Sequence, residues 1–254
     1  MFKINDYVTR ISYNHDIIFR IIDIKDEEII LEGFEKRLIA NASVTDLVLV
    51  DNETLNTQEK NSLNRIKNIT KLYRHKIHMT GKILHIDSDE KYLNKCLKLY
   101  DQLSLPAYGV YMSEELIKDY VLELIDKLNP DIVVITGHDS YNKKGIKDLN
   151  NYRNTNDYIE AVKKIRKHYG KDHIFVFAGA CQSNFEAIMA SGANFASSPK
   201  RVNIDAYDPA IIAIKAATTP FTNIVDLDEI KDLLESKKDG ISGIESYGKM
   251  RLFL

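Results

Sequence analysis

The sequence predicts an α/β fold, a mostly parallel sheet with helices on both faces, preceded by a small β-barrel. Three observations carry this. The runs Ile132-Val133-Val134-Ile135-Thr136 and Ile174-Phe175-Val176-Phe177-Ala178 have the length and the β-branched, aromatic content of buried strands. Amphipathic stretches of ten or more residues separate such runs, as in βαβ units. Residues 1–50 instead alternate short β-rich runs with polar turns.

Taken in order, residues 7–11, 17–24, 28–32 and 47–50 are the strands of the first module. Tyr13-Asn14-His15-Asp16 and Lys25-Asp26-Glu27 supply turns between them. Four or five strands in so short a span suggest an SH3-like barrel over residues 1–50. The polar segment 51–75 reads as a partly helical linker, and 76–254 as the α/β domain. There, residues 82–87 form a strand, and Ser88-Asp89-Glu90 caps a helix over 91–103. A strand at 107–112 precedes a helix that Ser113-Glu114-Glu115 opens and Asn129-Pro130 ends. The strand 131–139 and a polar stretch lead to a helix over 157–169, with Gly170 as a left-handed stop. A strand at 173–181, a helix through 185–189 and a strand at 193–196 follow.

Composition narrows the function. The chain has 254 residues, 44% of them hydrophobic and 28% charged, as in an ordinary globular protein. A net charge of −2 gives no field for nucleic acid or an anionic membrane. No run is long and apolar enough to span a bilayer. Met1-Phe2-Lys3-Ile4-Asn5-Asp6 lacks a signal-peptide core, so a cytoplasmic origin is expected. Two cysteines, Cys96 and Cys181, make no disulfide framework and no zinc spacing. No strand leads into a GxGxxG or Walker A motif. Neither a metal nor a cofactor is expected.

Chemistry concentrates at two strand ends. Gly179-Ala180 delivers Cys181, and Gly137 delivers His138. Ligands of open α/β sheets bind just beyond the carboxyl ends of the strands. A strand-end Cys is most often a small core hydrophobe, and a strand-end His merely a polar terminus. The pair weighs more than either alone, because a thiol and an imidazole on neighbouring strands make a nucleophile and its base. Polar Gln182-Ser183-Asn184 suggest that Cys181 leaves the core, close to a helix N-terminus that favours a thiolate. The Gly137 amide is a candidate oxyanion donor. Cys96 sits in a helical pattern and reads as packing. All seven histidines, at 15, 75, 78, 85, 138, 168 and 173, precede Cys181. Nucleophile-elbow and papain-like enzymes need a later His, so both are excluded. The order His then Cys, with Ala before the Cys, suits a caspase-like, Rossmann-like domain.

Several long motifs resemble one family. They are Val133-Val134-Ile135-Thr136-Gly137-His138-Asp139, Phe175-Val176-Phe177-Ala178-Gly179-Ala180-Cys181-Gln182-Ser183 and Asp148-Leu149-Asn150-Asn151-Tyr152-Arg153-Asn154. Gly192-Ala193-Asn194-Phe195-Ala196-Ser197-Ser198-Pro199-Lys200-Arg201 and the start Tyr7-Val8-Thr9-Arg10-Ile11 belong with them. Across nearly the whole chain the sequence resembles the YabG family of sporulation-specific cysteine peptidases of spore-forming Firmicutes. The resemblance implies processing of spore coat proteins in the mother cell, at the forming coat, with cleavage after Arg. It implies a catalytic pair at Cys181 and His138; the oxyanion is then expected to be held by the Cys181 and Gly137 amides. Family chains are expected to run further past Arg251. A buried guanidinium needs a carboxylate. Asp205 is the first choice for the S1 acid, with Asp208 and Asp139 behind it, although Asp208 also reads as the cap of a helix starting at Pro209. The competing expectation is a catalytically silent scaffold or binding protein for coat assembly.

Overall fold

The structure is a computed structural model and describes residues 2–25, 28–73 and 79–251. Asp26 and Glu27 of the expected turn, and His75 and His78, lie outside these residues. Two compact units divide the chain, Met1–Asn68 and Ile69–Leu254.

The first unit is a five-stranded antiparallel sheet. Its strands are β1 (Tyr7–Arg10), β2 (Phe19–Lys25), β3 (Glu28–Gly33), β4 (Ile39–Ser43) and β5 (Leu47–Leu49), in the order β4-β3-β2-β1-β5. Alternation along β1–β3 turns Val8, Phe19, Ile21, Ile29 and Leu31 into one apolar core. An irregularity between Ile21 and Asp23 shifts the β2–β3 register, as a bulge does. β4 has no counterpart in the sequence reading. It is an edge strand, and of its five residues only Ala42 is buried, so it carries little alternation to detect. Helix α1 (Asn52–Tyr73) runs across the division between the units.

The second unit is a mixed, mostly parallel sheet flanked by helices. In order it contains β6 (Ile83–Asp87), α2 (Glu90–Gln102), β7 (Ala107–Tyr111), α3 (Glu114–Leu128), β8 (Ile132–Thr136) and α4 (Thr155–His168). Then follow β9 (Phe175–Ala178), α5 (Phe185–Ala190), β10 (Phe195–Ser197), α6 (Asp208–Thr218), α7 (Lys237–Gly240) and β11 (Ile241–Gly243). The sheet order is β11-β10-β9-β8-β6-β7, and only β11 pairs antiparallel. β6, β8 and β9 are buried on both faces, which is why they read as unbroken apolar runs. Leu84, Ile86, Val133, Ile135 and Val176 share a core with Ile117 and Val121 of α3, Val162 and Ile165 of α4 and Ile188 of α5. α2 and α6 pack against each other, and α6 lies along β8 and β9. The strand order reverses between β6 and β8, and such a reversal opens a crevice at the carboxyl edge.

Helix ends explain two boundaries. Asp89 caps α2 by accepting the Tyr92 amide at 3.1 Å. The expected left-handed stop at Gly170 is not formed. Tyr169 ends α4 in an extended conformation, and Arg166 Nη1 donates to the Tyr169, Gly170 and Ile174 carbonyls at 3.3, 3.3 and 3.0 Å. The guanidinium thus satisfies carbonyls of the segment that leaves the helix and holds it extended. Among the described residues no helix is long and apolar enough to cross a membrane.

Candidate active site

β8 and β9 present the two expected site residues in step. Their last paired rung is Ile135 with Ala178. His138 and Cys181 each follow that rung by three residues. The ladder extends one bond further, from the Gly179 amide to the Ile135 carbonyl at 3.0 Å. Gly179 then turns with φ 109°, and a Cβ there would meet Ser197 Oγ at 2.5 Å. Both conditions demand glycine.

Cys181 does not leave the core. Its side chain is buried, because residues 198–205 fold back across it. The Ile204 amide donates to the sulfur at 3.3 Å, and the Ile204 carbonyl lies 3.8 Å away. The Gln182 amide donates to the Val202 carbonyl at 3.1 Å, and Gln182 Nε2 to Asn203 Oδ1 at 3.0 Å. Arg201, itself in a left-handed conformation, clamps the segment from outside. It donates to Tyr152 Oη at 2.9 Å and to the Ser198 and Pro199 carbonyls, and it pairs with Glu186. Burial opposes the Arg201 charge, but Tyr152 and Glu186 hold its pKa above the ordinary value. α5 has six residues and starts four beyond Cys181, so the amide that reaches the sulfur comes from the 198–205 segment and not from that helix.

His138 is anchored from three sides. Its amide donates to Glu114 Oε1 at 2.8 Å. Its carbonyl accepts from Asn154 Nδ2 at 2.9 Å and Tyr158 Oη at 3.1 Å. Its ring Nε2 lies 3.1 Å from Asp89 Oδ2, with the Tyr92 ring edge-on at a centroid distance of 6.4 Å. Burial pushes the Asp89 carboxyl up, but the His138 bond, the Tyr92 amide and the His138 charge together hold it below its ordinary value. The Asp89 amide donates to buried Asp87 Oδ1 at 2.9 Å, which fixes the backbone beneath it. Asp89 reads in the sequence only as a helix cap. The signal for more is its position, two residues past β6, on the other side of the sheet reversal from His138. Gly137 has a local reason of its own. A Cβ there would run into Ser88 Oγ and Glu114 Oε1, the groups that hold this turn.

The three expected S1 acids have different surroundings. Asp139 is buried between the loops, where it accepts from Ser140 and Asn154 amides and from Thr155 and Ser183 hydroxyls. Burial outweighs these donors and raises its carboxyl pKa. Asp208 does not cap α6. Tyr207 is the N-cap residue, and the two Asp208 oxygens accept the Glu235 and Ser236 amides, each at 3.0 Å. Asp205 directly follows Ile204, the residue over the thiol, and accepts the Tyr207 amide at 2.9 Å. Cys96 is buried on α2, its thiol donating to the Ala206 carbonyl at 3.3 Å.

A family model described as YabG peptidase U57 matches residues 3–254. The chain belongs to the YabG peptidase family. A relative from Bacillus subtilis (strain 168), named sporulation-specific protease YabG, is 40% identical over 281 residues. The alignment covers 99% of this chain and 97% of that relative, so this relative does not run far beyond the matched region. Ligands of open α/β sheets bind at the carboxyl ends of the strands, so the edge of β8 and β9 is the first region in which to seek peptidase chemistry.

Proposed function

We propose that this chain is a sporulation protease, a cysteine endopeptidase of caspase-like architecture that processes spore coat proteins in the mother cell and cleaves after Arg. The observation that carries the reading is the matched position of His138 and Cys181, three residues past one rung of adjacent parallel strands. Membership in a peptidase family and the printed name of the Bacillus subtilis relative support it. The five-strand order of the first unit, with its bulged β2, supports reading that unit as an SH3-like module without a catalytic group.

In this mechanism the Cys181 thiolate attacks the scissile carbonyl carbon. The Cys181 and Gly137 amides hold the oxyanion. The tetrahedral intermediate collapses, the C–N bond breaks, and the leaving amine takes a proton from His138. Water then loses a proton to His138 and attacks the thioester, releasing the acid and restoring the thiol. Residues 202–204 cover the sulfur, so substrate enters only when they are displaced. Asp205 is the S1 acid of this reading, because it directly follows Ile204, the residue whose amide covers the thiol. A second reading, a silent coat scaffold, draws on the complete burial of Cys181.

A peptidyl chloromethyl ketone with Arg at its end separates the two. Alkylation of Cys181, and not of Cys96, supports the protease. Intact Cys181 after prolonged exposure supports the scaffold.

A further inference from the structure

We infer that Asp89 is the positioning residue of His138: across the β6/β8 reversal, its carboxylate fixes the ring so that Nδ1 exchanges protons with the substrate. This rests on the Cys181 and His138 reading above.

The geometry is specific. Asp89 Oδ2 stands 3.1 Å from His138 Nε2, and both side chains are largely withdrawn from water, at 9% and 21% exposed. A carboxylate is an acceptor, so Nε2 carries the hydrogen of this bond. The proton-exchanging role then falls to Nδ1, which is buried in this structure and meets substrate only once the cover over the site is displaced. When the ring gains a proton, the nearby negative charge favours the imidazolium. The carboxylate is itself held on a rigid frame. Its Oδ1 accepts the Tyr92 amide at the first turn of α2, and the Asp89 amide rests on buried Asp87. Two strands thus meet here in an acid–base contact that neither strand contains alone. Glu114 holds the His138 backbone from α3, so the ring is the only part of His138 left for Asp89 to orient.

Other charged and titratable groups near the pair are Asp87 on β6, Glu114 on α3, Asp139 beside His138, and Tyr92 with Lys91 and Lys95 on α2. None of them changes in the variants below.

Asp89 also caps α2, so the test must separate capping from positioning. Asn and Ser cap helices about as well as Asp. Asp89→Asn removes the charge, and Asp89→Ser removes the reach. The full-length protein is assayed on an Arg peptide beside Cys181→Ala, with melting temperature, kcat, KM and pH profile recorded. We expect both Asp89 variants to fold, with a modest drop in melting temperature at neutral pH from the lost His138 contact. We expect kcat to fall about a hundredfold with KM little changed, and the acid limb of the Asp89→Asn profile to move to lower pH. Wild-type kcat and pH profile in Asp89→Asn overturn the inference while leaving the dyad standing. Loss of kcat accompanied by gross loss of melting temperature in both variants assigns Asp89 to capping and also overturns it. Activity surviving in Cys181→Ala overturns the dyad, and this inference with it.

Discussion

Ser183 donates its hydroxyl to Asp139 Oδ2 at 2.8 Å and so ties the loop after β9 to the loop after β8. The same hydroxyl accepts the Ala180 amide at 3.0 Å. One buried carboxylate therefore sets the spacing between the His138 and Cys181 turns. Asp139→Ala leaves two hydroxyls and two amides without their acceptor. We expect a stability loss of about 3 kcal/mol, measured by urea unfolding.

The two acids flanking His138 should titrate stability in opposite directions. Burial raises Asp139, so its stabilisation is complete below the ordinary value of 3.8 and is lost as pH rises through its native pKa. Asp89 is held below 3.8, so its stabilisation is present above that value and is lost as pH falls through its native pKa. From acid to neutral pH, the stability gap between wild type and Asp139→Asn should shrink. The gap between wild type and Asp89→Asn should grow. Parallel slopes in the two series contradict the assignments.

Arg201 holds the segment that covers the thiol. Arg201→Ala removes its bonds to Tyr152 and Glu186 and leaves Cys181 itself untouched. Alkylation of native Cys181 by iodoacetamide should speed up about tenfold, equivalent to ~1.4 kcal/mol of closure. Peptide mapping reads Cys181 against Cys96, whose thiol bonds the Ala206 carbonyl just beyond this segment. Equal rates in wild type and variant show that Arg201 does not limit access.

Specificity for Arg should follow Asp205. Asp205→Asn is expected to cut kcat/KM for an Arg peptide at least tenfold relative to an Ala peptide. Asp208→Asn should keep the preference for Arg and lose stability, because it anchors the Glu235 and Ser236 amides. The reverse outcome moves the S1 acid to Asp208.

A chain of residues 69–254 should cleave short peptides within a few-fold of the full protein, since the first unit contributes no group to the site described. A folded fragment without activity contradicts this.

The sequence reading and the structure agree where local pattern decides. β6, β8 and β9 are doubly buried, so their apolar runs stand out, and α3 starts and stops where Ser113 and Asn129 say it should. Agreement fails where distant residues decide. β4 is a half-exposed edge, and β11 has three residues, so neither carries a period to read. At Gly170 the expected stop gave way to an extended exit held by Arg166, whose side chain also reaches the Gly192 carbonyl and Asn194, 26 and 28 residues further on. His138 and Cys181 stand out in the sequence because each ends an apolar run. The burial of Cys181 does not, since Ile204 reaches it from 23 residues further along the chain. Asp89 was seen as a cap because capping is local, whereas its contact with His138 spans 49 residues.

The most direct test of the account is cleavage of an Arg-containing coat-protein peptide by wild type, Cys181→Ala and His138→Ala, with fragments read by mass spectrometry. The account predicts cuts after Arg by wild type, and none by either variant while both keep the wild-type circular dichroism spectrum. Wild-type cleavage by a folded Cys181→Ala protein contradicts it.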